Sequence, residues 1–335
     1  MSRVVLDVKN LSKYFPIKKG KLGTKKEMVR AVDDVSLQIY EGETLGIVGE
    51  SGCGKTTLGK CLVRLLMPTA GEIFLWDEGS GQLKNVLKLS RKESFAARRR
   101  LQIVFQDPYS ALNPMKNVLT AFDEPMRIHG LGDKAERFEI ASRMMLEVNL
   151  RPEYLSRYPH EFSGGQLQRI CIAKSLAMSP EVIVCDEPVS ALDVSIQAQT
   201  LNLMRRLQRD FNLTYVFIAH DLSVVQYMSN RVAVMYLGQV VELAPSRALS
   251  DGGLHPYTQA LLSAVPIPRL GARKDRILLE GDVPSPANPP SGCRFHPRCR
   301  YCMEICRREI PKLQLHSDTT PEKTGEHWVA CHLYD

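Results

Sequence analysis

The sequence predicts an α/β protein organised around a parallel sheet. Three observations carry this. First, the runs "TLGIV", "EVIVCD" and "TYVFIAH" are apolar without polar alternation, as strands covered on both faces should read. Second, the first run passes through a glycine-rich loop directly into an amphipathic helix. Third, long stretches between the runs, such as "KAERFEIASRMMLEVNL", repeat apolar residues at helical spacing. With 335 residues, 44% hydrophobic and 24% charged, the chain can bury at least one full core and is expected to form two or three compact units. The reading places a core domain at 1–250, with a mostly helical section at about 108–178 whose Met and Leu stripe is core, and a C-terminal extension at 251–335.

Composition narrows the function classes. No apolar run approaches the roughly 20 residues of a membrane span, and the start "MSRVVLDVKNLSKYF" has no apolar signal core. A cytosolic chain is expected, where disulfides are disfavoured and clustered cysteines read as metal ligands, redox groups or buried thiols. The net charge of +7 raises nucleic acid as a partner, but "KKGKLGTKK" (Lys18 to Lys26) reads as a polar hairpin or loop and "ARRR" (Ala97 to Arg100) as a solvated helix end. Neither is interleaved with aromatics, so no nucleic-acid partner is expected. A surface near anionic lipid headgroups fits better.

The glycine loop is the most informative segment. In "GIVGESGCGKTTLGKCL", the residues Gly49, Ser51, Gly52, Cys53, Gly54, Lys55, Thr56 and Thr57 form a P-loop between strand and helix. The glycines let backbone N–H groups converge on phosphate and the helix N-terminus adds a positive dipole end. Lys55 is placed to reach the β and γ phosphates, and the Thr56 hydroxyl to ligate magnesium. Cys53 reads as filler in a variable position, and Cys61, Cys171 and Cys185 as packing.

The second run ends in Asp186 and Glu187, at the carboxyl end of a strand where open α/β sheets bind ligands. Adjacent strand residues point opposite ways, so the two carboxylates take different roles. Asp186 is expected to support magnesium, and Glu187 to orient or deprotonate the attacking water. The third run ends in His220, expected at the γ-phosphate and the water. Between these, Ser163, Gly164, Gly165 and Gln166 precede a helix, so glycines and helix dipole offer a second phosphate-binding surface.

The order of these motifs, with "VFQDP" containing Gln106, and "SALD" from Ser190 to Asp193, resembles the ATP-binding cassette (ABC) ATPases over about Leu6 to Leu249. The resemblance implies an α/β P-loop NTPase core of ABC type with an antiparallel β subdomain and a helical subdomain. It also implies that two cassettes pack head to tail, each ATP lying between one P-loop and the other chain's signature serine and glycines. Gln106 is then expected to touch magnesium and the loop facing the membrane subunit. Asp193 is assigned to the nucleotide site, and Phe15, with Tyr14 as a substitute, to the adenine.

One P-loop and no sustained heptad run separate this chain from translation-type and repair-type cassette proteins. The cassette motifs resemble the dipeptide and oligopeptide permease ATPases, especially the second of their paired ATPase subunits. "HPYTQALLSAVP" and "GDVPSPANPPSGC" match that family's C-terminal extension. Nickel importers are the nearest alternative within transport. The resemblance implies a related ATPase chain as heterodimer partner, two transmembrane permease subunits, an extracytoplasmic peptide-binding protein, and a peripheral position on the cytoplasmic face of the bacterial inner membrane.

Five of nine cysteines fall at the end of the chain, in "GCRFHPRCRYCMEIC" and "VACHLYD". Pro284, Pro286, Pro289 and Pro290 stiffen the approach, so the tail is expected to be a separate small unit. Spacing alone admits several metals, including zinc completed by His296, His327 and His332. The resemblance implies that Cys293, Cys299, Cys306 and Cys331 hold a [4Fe–4S] cluster, with Cys302 as an additional thiol. Zinc and free thiols remain alternatives.

Overall fold

The computed structural model of the chain describes residues 3–19, 25–265, 276–316 and 326–335. The first two strands, β1 (Val4–Lys19) and β2 (Lys25–Tyr40), form a long hairpin in antiparallel register, so the basic stretch at Lys18 to Lys26 is hairpin arm on both described sides. Strand β3 (Thr44–Val48) enters the core, and α1 (Lys55–Leu62) follows the glycine loop. Strands β4 (Ala70–Asp77) and β5 (Gln82–Asn85) complete, among the described residues, a four-stranded antiparallel sheet of order β2-β1-β4-β5.

Helix α2 (Arg91–Arg100) starts from a Ser90–Glu93 capping box and ends in three arginines, charges matched to the helix dipole at both ends. Strand β6 (Leu101–Val104) then opens the helical lobe, built from α3 (Val118–Ile128), α4 (Lys134–Glu147) and α5 (Gly164–Leu176). The Met and Leu stripe is core as expected: Met144 and Met145 are 3% and 0% exposed and pack with Phe122 and Met126.

The second half supplies β7 (Val182–Asp186), α6 (Val194–Phe211), β8 (Thr214–Ile218), α7 (Leu222–Met228), β9 (Arg231–Tyr236) and β10 (Gln239–Pro245). Strands β3, β7 and β8 are buried at every residue, which is why their sequences lack alternation. They pair in parallel in the order β3-β8-β7, with β9 parallel on the other side of β3. Three carboxyl ends therefore lie side by side, and the loops leaving them share one edge of the sheet.

The C-terminal region contributes α8 (Ser246–Asp251), α9 (Pro256–Ser263), α10 (Glu304–Arg308), β11 (Gln314–Leu315) and β12 (Trp328–Val329). The expectation of a separate small unit is corrected here. Strand β12 pairs with β10 and extends the central sheet. Phe295 is 1% exposed and packs in the main core with Tyr236, Tyr257 and His255. The proline-rich approach also docks, since the Pro286 carbonyl accepts from the Arg30 N–H at 3.0 Å. Side chains from a segment too short for its own core have buried themselves in the larger one.

Candidate functional site

The glycine loop has the backbone that its sequence requires. Gly52 and Gly54 have φ of 78° and 106°, in the left-handed region that favours glycine. A Cβ at Gly54 would also collide with the Ala31 carbonyl, so the loop lies flat against β2. Lys55 is 5% exposed, and its Nζ donates to the carbonyls of Gly49 at 2.7 Å and Glu50 at 3.1 Å. Cys53 is 4% exposed beneath the loop, its Sγ 3.8 Å from Lys55 Nζ. Its side chain is packing, so only its backbone can face a phosphate.

At the neighbouring strand end, Thr56 Oγ1 donates to Asp186 Oδ1 at 2.8 Å. Asp186 is 3% exposed, and burial raises its pKa while the Thr56 hydroxyl lowers it. A buried carboxylate beside a hydroxyl, both hard oxygen donors, fits magnesium.

Glu187 departs from the sequence reading in its cause. It is not the next strand residue with alternate direction; it sits beyond β7 at φ 48°, left-handed backbone that is uncommon outside glycine. Its N–H donates to the Ile218 carbonyl at 2.9 Å, which holds the turn. Oε2 of Glu187 then accepts from Gln106 Nε2 at 3.2 Å and meets His220 Nδ1 at 3.0 Å. The three residues named as catalytic in the sequence thus converge on one oxygen. Backbone strain of this kind persists where surroundings enforce it, and it clusters at functional sites.

The signature segment is built as a helix cap. Ser163 Oγ accepts from the Gln166 N–H at 3.3 Å, and Gln166 Oε1 accepts from the Ser163 N–H at 3.0 Å. Its two glycines differ. A Cβ on Gly165 would lie 2.5 Å from Ile196 Cγ2, so this glycine serves contact with α6, whereas at Gly164 the nearest atom is 3.8 Å away. Gly164 is the one with room at the surface. Asp193 caps α6, accepting from the Ile196 N–H at 3.0 Å. Among the described residues, no hydrogen bond of Ser163 or Gln166 reaches the phosphate loop of the same chain.

At the adenine end, Tyr14 is engaged: its hydroxyl donates to Asp33 Oδ1 and Arg30 lies over its ring, 5.9 Å from the centroid. The next residue, Phe15, is half-buried with Lys13 Nζ 5.0 Å from its ring centroid.

In the tail, Cys293, Cys299 and Cys331 have raised pKa values, Cys293 to about 11 and Cys331 to about 12, through burial first. The charges of the other thiols add to this: Cys331 feels Cys293, Cys299 and Cys306. Backbone bonds tie the segment together, from the Cys293 N–H to the Cys306 carbonyl at 2.8 Å and from the Cys302 N–H to the Cys299 carbonyl at 3.2 Å, and Cys299 feels Cys302 as well as Cys306. Among the described residues, no group of three or more His, Cys, Asp or Glu side chains is arranged to hold a metal, the tail cysteines expected to carry a [4Fe–4S] cluster included. The histidines considered for zinc are engaged elsewhere: His327 with Glu242 at 2.7 Å, His332 with Asp335 and the Glu309 carbonyl, and His296 with the Cys293 carbonyl. Zinc completed by these histidines does not fit the structure.

The sequence reading missed Arg294 and Arg298. Arg294 is 5% exposed, pairs with Asp33 and donates to the Leu237 carbonyl, and Arg298 pairs with Glu50 at 2.9 Å. The signal in "CRFHPRC" is two arginines flanking an aromatic, and nothing local marks their distant carboxylate partners.

Comparison with known proteins agrees with this geometry. The family described as ABC transporter matches residues 32–190, and the oligopeptide/dipeptide transporter C-terminal region matches residues 241–306. The oligopeptide transport ATP-binding protein AppF of Bacillus subtilis is 49% identical over 332 residues, covering 98% of this chain and 97% of that protein. The dipeptide transport ATP-binding protein DppF of Haemophilus influenzae is 48% identical over 314 residues, covering 94% of each. Among solved structures, the dimeric ATP-binding cassette MJ0796 bound to ADP and phosphate matches with a TM-score of 0.61 and 28% identity, covering 72% of this chain and 99% of that one. With the phosphate loop and the acidic strand end inside the first match, the tail arginines inside the second, and a relative 49% identical over 98% of the chain, the chain belongs to the ABC transporter ATPases that carry the oligopeptide/dipeptide transporter C-terminal region.

Proposed function

We propose that the chain is the ATP-hydrolysing subunit that powers import of dipeptides and oligopeptides across the cytoplasmic membrane. The observation that carries this reading is the occurrence, in one chain, of the Glu187, His220 and Gln106 cluster beside the phosphate loop and of the peptide-transporter region at 241–306. The nickel-importer alternative has no such support among the relatives compared. The chain works on the cytoplasmic face with two permease subunits, an extracytoplasmic peptide-binding protein and a homologous second ATPase subunit.

In this reading Lys55 turns from the Gly49 and Glu50 carbonyls to the β and γ phosphates, exchanging neutral acceptors for anionic ones. Thr56 and Asp186, with Gln106, hold magnesium, which when bound draws charge from the reacting phosphates. Glu187 orients and deprotonates the attacking water, and His220, on the same oxygen, fixes that carboxylate and faces the γ-phosphate. Phe15 stacks on the adenine, since the Tyr14 hydroxyl is committed to Asp33. Ser163, Gly164 and Gln166, with Asp193, close over the partner's ATP. Hydrolysis removes the ligand bridging the two cassettes and lets them separate.

The tail thiols Cys293, Cys299, Cys306 and Cys331 are the residues that would hold a [4Fe–4S] cluster on closing together. The closeness of Cys293 and Cys306, whose backbones bond at 2.8 Å, supports the reading. Anaerobically purified protein should show absorption near 400 nm and about four irons with acid-labile sulfide per chain, and colourless, iron-free protein would remove the cluster. Transport itself is tested by uptake of a radiolabelled tripeptide in a strain lacking the gene. The wild-type chain should restore uptake, while Glu187→Gln should bind ATP but lose hydrolysis and uptake by about 100-fold or more. Restoration by Glu187→Gln would overturn the mechanism, and uptake of nickel instead of peptide would overturn the substrate.

A further inference from the structure

Two routes join the C-terminal region to the phosphate loop. Arg298, whose side chain is 8% exposed, donates to both carboxylate oxygens of Glu50, at 2.9 and 3.3 Å. Such bidentate pairs fix orientation as well as position. Glu50 is the loop residue after Gly49, and its main chain is gripped as well: its N–H donates to the Tyr257 hydroxyl at 2.8 Å and its carbonyl accepts from Cys53 N–H at 3.2 Å. A second route runs through the turn between β9 and β10. Arg294 donates to the Leu237 carbonyl, and the next residue, Gly238, donates its N–H to the Cys53 carbonyl at 2.8 Å. Between the two arginines, Phe295 anchors the segment under Tyr236 and Tyr257.

From these contacts we propose that Arg298 is a positioning residue of the nucleotide site, which holds the phosphate loop in its binding shape through Glu50 and makes nucleotide affinity depend on the tail. The inference rests on reading Gly49 to Thr57 as the phosphate loop. A loop that must converge several backbone N–H groups on one phosphate loses conformational freedom when it does so, and prior fixation removes that cost from binding. The fixation comes from Tyr257 and Arg298, both inside the C-terminal match at 241–306. The backbone that carries Arg294 is itself anchored in the tail, since the Cys293 N–H donates to the Cys306 carbonyl at 2.8 Å.

The test is a fluorescence titration of the full chain with a fluorescent ATP analogue and magnesium, reading both Kd and the number of sites filled. Arg298→Ala and Glu50→Ala should each raise Kd about tenfold with filling unchanged, and the double variant should be no weaker than either. A merely structural role would instead lower the filling and leave Kd alone. Arg298→Lys, which keeps the charge and loses the fork, should fold as the wild type does and raise Kd about threefold. Arg298→Lys and Arg298→Ala binding within twofold of wild type, or a double variant whose loss is the product of the singles, would overturn the proposal. Lys55→Ala separates the two levels: retention of binding there would defeat the phosphate-loop reading itself.

Discussion

Replacing Phe295 with alanine removes a ring that is 1% exposed and meets three aromatic neighbours. Tyr236 stands edge-on at 5.3 Å and 88°, Tyr257 at 5.5 Å and 55°, and His255 at 5.5 Å and 57°. Buried Phe to Ala changes cost about 3–5 kcal/mol through lost transfer energy and a residual cavity. The contacts here place this site toward the upper end, because the tyrosines are held by other bonds and cannot collapse inward. The chain has two tryptophans, Trp76 in the antiparallel sheet and Trp328 in β12, so Trp76→Phe leaves a reporter of the tail alone. Urea unfolding followed by Trp328 should shift its midpoint down by about 1 M on Phe295→Ala, given slopes of about 3 kcal/mol/M or somewhat more for a chain of this size. An unmoved Trp328 midpoint would refute the integration of the tail into the main core.

The signature glycines should separate in the same kind of experiment. Gly165→Ala puts a Cβ 2.5 Å from Ile196 Cγ2 and should destabilise the fold by about 1–3 kcal/mol, seen as a lower Tm. Gly164→Ala, with its nearest neighbour at 3.8 Å, should leave Tm in place while lowering ATPase, as the proposed contact of Gly164 with a partner cassette's ATP requires. Acid should weaken the fold through His255, which burial holds down to about 4 and whose Nδ1 accepts from the Tyr257 N–H at 3.1 Å. Because its folded pKa lies below the unfolded value, its contribution is whole above about pH 6.5 and is lost as pH falls toward 4. Between pH 7.5 and 5.5 it should remove about 1 kcal/mol, and His255→Asn, which keeps the capping acceptor, should flatten that part of the profile.

Much of the nucleotide site was legible because its signals are local. A glycine loop between a buried strand and a helix, or a carboxylate at a strand end, is written within about ten residues, and parallel pairing brings β3, β8 and β7 to one edge. The cap at Ser163 and the core stripe at Met144 and Met145 are equally short-range. For Glu187 strand alternation was an incomplete reason, since it says nothing of the left-handed turn that the Ile218 carbonyl holds. Gly165 was grouped with phosphate contacts because sequence does not reveal that Ile196 stands over it.

The sequence by itself determined the parallel core, the phosphate loop, the helical lobe and the residues available for chemistry. Short periodicities and backbone requirements encode these directly. Only the tertiary structure decided that the cysteine-bearing tail is part of the core and touches the nucleotide loop. Arg294 meets Asp33 across 261 residues and Arg298 meets Glu50 across 248, while His327 meets the buried Glu242 across 85. Such pairs follow from which surfaces fit once the sheet has formed, and from the cost of leaving a buried carboxylate unpaired. No spacing along the chain records either one.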